Sequence, residues 1–258
     1  MDQSRLTVYF YDIFDASLPR LGPGDDSSTQ KAIELLRAAN PQLMNSPGLR
    51  ILDLGCGNGT PTIQLAKHLD GTITAVDNHE PFLIELRRRA VAEGVSDSIR
   101  TCLSDMREFT MKEGVFDLIW SEGALFAMGF RKALAACRKL LIPGGLMAAS
   151  ELTWFRPYPP AECREYFAAM YPPMIDNAAN LATIEDCGYK VLEHFALPES
   201  TWLEGYFRPI EDRLRTLQNK YAADRAGSET IDTIRKESYI YRKYSDWYGY
   251  FFYLMQSR

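Results

Sequence analysis

Residues 51–60, ILDLGCGNGT, constrain this chain more than any other stretch. A short apolar run leads into Gly55, Gly57 and Gly59, and Thr60-Pro61 then opens a helical pattern. Glycine removes the side chain where a ligand must meet backbone, and strand, glycine turn and helix in that order make an otherwise weak glycine pattern informative. Asp77 closes the next apolar run about twenty residues on, where a carboxylate can accept both hydroxyls of an adenosine ribose. Together these features indicate a nucleoside cofactor.

The rest of the chain fits the same frame. From residue 50 the apolar runs RILDL, TITAV, SIRTCL, FDLIW and LMAASEL alternate with amphipathic stretches. Such alternation builds an α/β, doubly wound sheet with helices on both faces. Thr60 is placed to cap the first intervening helix, with Pro61 at its first helical position. The second helix is expected over 80–92, with Gly94 as its stop, and the third over 127–141, ending in Pro143-Gly144-Gly145. After Trp154 tyrosine and tryptophan become frequent, and 204–222 and 229–245 read as helices, with Leu203, Ile210, Leu214, Leu217 and Tyr221 at near-helical spacing. YKVLEHFAL (189–197) and YGYFFYLM (248–255) read as late strands, and a connection so long implies a helical cap. One domain is expected over 1–258: an N-terminal arm (1–30), a cofactor-binding core (30–155), a cap inserted between the last two strands (199–246) and a last strand (247–258).

Charge and composition narrow the partners. A formal charge of -5 argues against a broad grip on phosphate backbones. No run approaches the ~18 apolar residues of a membrane span, and the start lacks a secretory pattern, so a cytoplasmic protein with neither nucleic-acid nor membrane partners is expected. Cys56, Cys102, Cys137, Cys163 and Cys187 are odd in number and widely spaced, which suits reduced, mostly buried thiols. His68 and His79 fall near helix ends and are expected in solvent, while His194 lies in a strand; no spacing calls for a metal.

Nicotinamide and flavin proteins use the same strand, turn, helix and acid, but they space their glycines G-x-G-x-x-G to admit a pyrophosphate. This chain has G-x-G-x-G, with Thr60 where the last glycine would fall and Asp53 two residues before the first. Negative charge there suits an ammonium better than a pyrophosphate, and so favours S-adenosylmethionine, which carries a zwitterionic amino-acid end and a cationic sulfonium.

At this point the chain resembles the class I S-adenosylmethionine-dependent methyltransferases. ILDLGCGNGT is similar to their glycine loop, TAVDNHEPF to their acidic strand end, LSDMREF to their adenine-contacting turn, FDLIWSEGAL to their fourth strand and LIPGGLMAASEL to the turn into their fifth. LGPGDDSSTQKA, WSEGALFAMGF, SELTW and YGYFFYLMQSR resemble a small-molecule-type subgroup with uncharacterised bacterial and archaeal members. The resemblance implies a Rossmann-like sheet, mostly parallel with one antiparallel C-terminal strand. It places Gly55 and Gly57 against the methionine part of the cofactor, Asp77 on the ribose and Asn78 beside the adenosine, with Phe82 a weaker candidate. Asp105 would bond the adenine amino group while Met106 packs on the ring or offers its backbone N–H. Thr29 falls where related enzymes bond the cofactor carboxylate, a role compatible with a helix cap before QKAIELL.

The reaction centre is expected to face residues 121–125, past FDLIW, because ligands in doubly wound folds bind outside the carboxyl ends of strands. Glu122 is the candidate catalytic residue, as base, orienting group or solvent-bonded carboxylate. Tyr11, Glu151 and Trp154 are candidates for the acceptor pocket, with Trp202 and Tyr206 behind them, and each is equally readable as packing. The function expected is methyl transfer to a small molecule by in-line displacement. Alternatives are a protein or RNA methyltransferase and a catalytically silent S-adenosylmethionine-binding regulatory protein; a homodimer is compatible with any of these.

Overall fold

The computed structural model describes residues 3–258, with side chains from Thr7 onward. The start of the N-terminal arm, residues 1–2, lies outside the described residues. In chain order the elements are α1 (Gln3–Ile13), α2 (Asp26–Ala39), α3 (Pro41–Met44), β1 (Leu49–Leu54), α4 (Thr60–His68), β2 (Gly71–Asp77), α5 (Glu80–Ala92), β3 (Ile99–Leu103), β4 (Phe116–Ser121), α6 (Phe130–Leu140) and β5 (Leu141–Trp154). There follow α7 (Ala161–Met170), β6 (Ile175–Asp176), α8 (Asn177–Asp186), β7 (Tyr189–Ala196), α9 (Glu199–Trp202), α10 (Arg208–Lys220), α11 (Arg225–Tyr244) and β8 (Tyr248–Ser257).

Strands lie in the order β3-β2-β1-β4-β5-β8-β7, with β6 beside β5. All pairings are parallel except those of β8, which runs antiparallel to both β5 and β7. The order reverses between β1 and β4, so a crevice opens at their carboxyl ends. Alternation along the strands sorts the core into layers. Leu52, Leu54, Ile119 and Met147 face α6 and α8, while Ile51, Leu118, Trp120 and Ala148 face α2 and α4. A further cluster joins Tyr9 and Ile13 of α1 to Trp202, Ile210, Leu214 and Ile240 of the cap helices.

Several local expectations shift. Gly59, with φ of +88°, is the N-cap of α4, and Thr60 is its first helical residue; the Thr60 hydroxyl donates instead to the Pro19 carbonyl at 2.7 Å. A side chain at residue 59 is precluded because a Cβ there would lie 2.1 Å from Leu86 Cδ1. Thr29 is not a cap either: Asp25 caps α2, its carboxylate accepting from Ser28 N at 2.7 Å. The arm contains α1, and α2 begins at Asp26. The helix expected over 204–222 is broken by a π turn over Leu203–Phe207, consistent with the missing N–H of Pro209 in the first turn of α10. Asp224 caps the next helix through the N–H groups of Ala226 and Gly227, so α11 starts before residue 229. The third core helix starts at Phe130 because a 3-10 turn (Leu125–Ala127) and Gly129, at φ of +83°, precede it. Helices α7 and α8 fall in a stretch for which no element was expected. Among the described residues no helix is long and apolar enough to cross a membrane.

Candidate functional site

A cavity of about 430 Å³ occupies the crevice above β1 and β4. Asp53, Gly55, Gly57, Asp77, Asn78, Asp105, Met106, Glu122 and Tyr11 all line it, as does Phe82. Thr29, Glu151 and Trp154 do not. Thr29 is fully buried behind the wall, Glu151 bonds Tyr171 from β5, and Trp154 packs edge-on against Phe167 and Tyr248.

The glycine turn is shaped by close approach. Gly55 has φ of +76°, and a Cβ there would stand 2.4 Å from Ala124 Cβ and 2.9 Å from Met106 Cε. Asp77, at the end of β2, accepts from Gly57 N and His79 N, both at 2.9 Å, so it ties the turn to the start of α5. Burial raises its carboxyl above the ordinary value, and those N–H groups work against the shift. His79 is half-buried rather than in solvent, and its ring stacks on that of Tyr11.

Asp53 is 1% exposed and accepts from the Thr62 hydroxyl at 2.5 Å. Burial, reinforced by the carboxylates of Glu122 and Asp77, pushes its carboxyl up to about 7. Asp105 behaves oppositely: the Arg107 side chain and backbone N–H hold it at about 2.

Glu122 is held from three sides. Its Oε1 accepts from Thr29 Oγ1 at 2.8 Å and Trp120 Nε1 at 2.9 Å, and its Oε2 accepts from Arg20 Nη1 at 2.6 Å. The pair is buried, at 8% exposure for the Arg20 side chain and 6% for Glu122. Arg20 also reaches Asp26 at 3.4 Å and Thr29 at 3.3 Å. Thus Thr29 meets the cavity through Glu122 and Arg20.

Arg20 and Asn58 carry no local sequence signal. Asn58 donates to the carbonyls of Ala16 and Leu18, and Arg89 donates to those of Leu18 and Pro19, which pins the loop that carries Arg20 over the turn. Among the described residues no cluster of three or more histidine, cysteine or acidic side chains could hold a metal. His194 is exposed on β7 beside Asn177, away from the cavity. The five cysteines are free; Cys56, Cys137 and Cys163 are buried, and Cys102 and Cys187 half-buried.

Residues 51–145 match a family model described as a methyltransferase domain. The chain is 24% identical over 179 residues to sterol 24-C-methyltransferase ERG6A of Gibberella zeae, covering 66% of this chain and 47% of that protein. It is 27% identical over 202 residues to the O-methyltransferase rstn1 of Aspergillus nomiae, covering 74% and 89%. The chain spans about half the length of the sterol methyltransferase. In fold it is similar to a SAM-dependent methyltransferase from Geobacter sulfurreducens solved with S-adenosyl-L-homocysteine, with a TM-score of 0.78, 20% identity and coverage of 96% of this chain and 98% of that one.

Proposed function

We propose, from the premise that residues 51–145 are a methyltransferase domain on the class I fold, that this chain moves a methyl group from S-adenosylmethionine to a small-molecule acceptor. The observation that carries this reading is the acidic cavity on the glycine turn. Among the described residues, Asp53 and Asp77 face the space beside Gly55 and Gly57 with no arginine or lysine bonded to them, whereas Glu122 is paired with Arg20 and Asp105 with Arg107. Two acids at the turn favour a cationic, zwitterionic ligand over a pyrophosphate.

The residues fit that cofactor. Gly55 and Gly57 offer backbone without side chains to its methionine part, and Asp53 faces its ammonium. Asp77 accepts the ribose hydroxyls, Asn78 flanks the adenosine, and Asp105 with Met106 receives the adenine. Thr29 and Arg20 hold Glu122 at the inner wall. Bound there, S-adenosylmethionine supplies a methyl group already activated on a cationic sulfur. The chain's own work is then to align the acceptor in line with that bond and exclude water, which needs no strong acid or base. With both oxygens of Glu122 engaged, positioning Arg20 and the cavity wall is the role its contacts favour.

Asp77 gives the test. Two charge-assisted hydrogen bonds contribute about 1.5–3 kcal/mol each, so Asp77→Ala is expected to weaken S-adenosylmethionine and its demethylated product by about 100-fold or more in calorimetry. Affinities within threefold of the parent would sink the assignment.

Asp53 gives a pH signature. Its folded pKa, at about 7, lies above the unfolded value, so its contribution to stability is fully present below about pH 4 and is lost as pH rises through about 7. An ammonium beside it favours the ionised form and displaces the proton. Affinity for S-adenosylmethionine should therefore rise about tenfold from pH 6 to 8, one pKa unit being 1.36 kcal/mol. Methylthioadenosine, which lacks the amino-acid end, should show a flat profile, as should S-adenosylmethionine with Asp53→Asn. A slope shared by methylthioadenosine would place the ammonium elsewhere.

A further inference from the structure

Beneath the cap, next to the cofactor cavity, lies a second polar cluster. Glu237 of α11 lies beside the Tyr206 hydroxyl, and Glu151 of β5 accepts from the Tyr171 hydroxyl at 2.6 Å. Among the described residues neither carboxylate is paired with a lysine, arginine or histidine. Burial pushes both carboxyls up to about 7. Both act electrostatically on Tyr250, whose hydroxyl would lie 3.9 Å from a Cβ on Gly123 in the cofactor cavity wall. Glu237 and Tyr250 are half-buried, whereas Glu151, Trp202 and Tyr248 are buried.

An independent observation marks the same place. Trp202 Nε1 and Tyr248 Oη are buried with no hydrogen-bond partner among the described residues, and the two side chains are 3% and 1% exposed. Trp202 stacks on Tyr250 at 5.4 Å between ring centroids and meets Tyr248 edge-on at 6.1 Å. Buried polar groups in native structures are normally satisfied, and two orphans in one aromatic cluster leave a donor and a hydroxyl free to meet polar atoms of a ligand. Unpaired carboxylates and aromatic faces together recognise a cation.

We infer that the methyl acceptor is a small amine, held as its ammonium between Glu237, Glu151 and the ring of Tyr250, with Trp202 Nε1–H and the Tyr248 hydroxyl bonding polar atoms of the same molecule. This rests on the methyltransferase reading and names its substrate class. The ammonium first gives one proton to Glu151 or Glu237. The freed nitrogen lone pair then forms the N–C bond while the C–S bond breaks, its electron pair staying on sulfur to leave a neutral thioether. The product is the N-methylated ammonium.

The test uses the whole chain saturated with S-adenosylhomocysteine, titrated calorimetrically with hexylamine, benzylamine and phenethylamine, each beside the alcohol of the same carbon skeleton. At least one amine is expected to bind about tenfold or more tightly than its alcohol, and Glu237→Gln to erase that preference while leaving S-adenosylhomocysteine affinity unchanged. Alcohols binding as tightly as the amines, no amine binding to the saturated protein, or a preference that survives in both Glu237→Gln and Glu151→Gln would overturn the amine assignment alone. Failure of S-adenosylhomocysteine to bind would instead overturn the cofactor reading beneath it.

Discussion

Gly55→Ala is expected to remove measurable cofactor binding and to destabilise the fold by about 3 kcal/mol. Two effects add. The left-handed conformation at φ of +76° costs a residue with a Cβ about 1–2 kcal/mol. The new methyl would then stand 2.4 Å from Ala124 Cβ, an atom fixed to its backbone, and 2.9 Å from the Met106 methyl that lines the cavity. The turn must move, and with it the backbone against which the ligand would lie. Gly114 is the control: it has φ of +64° but nothing within 4 Å of its Cβ position, so Gly114→Ala should show the conformational cost without the clash. Melting temperatures of both variants, with calorimetry of cofactor binding, separate the two. Equal losses for residues 55 and 114 would mean that close approach at the turn contributes nothing.

Glu122→Ala is expected to cost about 3–5 kcal/mol, because removing one partner of a buried ion pair leaves the other charge uncompensated. Arg20 would keep only Asp26, half-exposed and 3.4 Å away, and the Thr29 hydroxyl, while Trp120 Nε1 would lose its acceptor. At roughly 2–4 °C per kcal/mol for a chain this long, the melting temperature should fall by about 6–20 °C. Replacing both Arg20 and Glu122 by methionine should recover much of that loss, since two apolar groups leave no unpaired charge. Glu122→Gln separates the roles: loss of stability and cofactor affinity together marks a positioning carboxylate, whereas a selective fall in turnover marks a group acting on the acceptor.

What the sequence disclosed depended on whether the information was local. The strand, glycine turn and helix at 51–60 and the acid at residue 77 are readable because each is fixed by its neighbours, and the antiparallel β8 in a mostly parallel sheet agrees with what the family resemblance implies. The N-cap of α4 is Gly59 rather than Thr60, and what demands glycine there is the approach of Leu86, a contact made only in the folded chain. Arg20 meets Glu122 across 102 positions and Thr29 meets it across 93, so no spacing rule connects them. Glu237 is hidden for a related reason: on an amphipathic helix an inward glutamate looks like an outward one until the facing tyrosines are known. Glu151, picked out by its position after the fifth strand, lies beside the cap cluster rather than on the cofactor cavity.

The methyl-donor site on the glycine turn is most directly tested by calorimetry of the purified chain against S-adenosylmethionine, S-adenosylhomocysteine and NADH under one set of conditions. Binding of the first two, weakened by Asp77→Ala, with no heat from NADH, is the expected result. Tight NADH binding without a signal from S-adenosylmethionine would contradict the assignment of this site to a methyl donor.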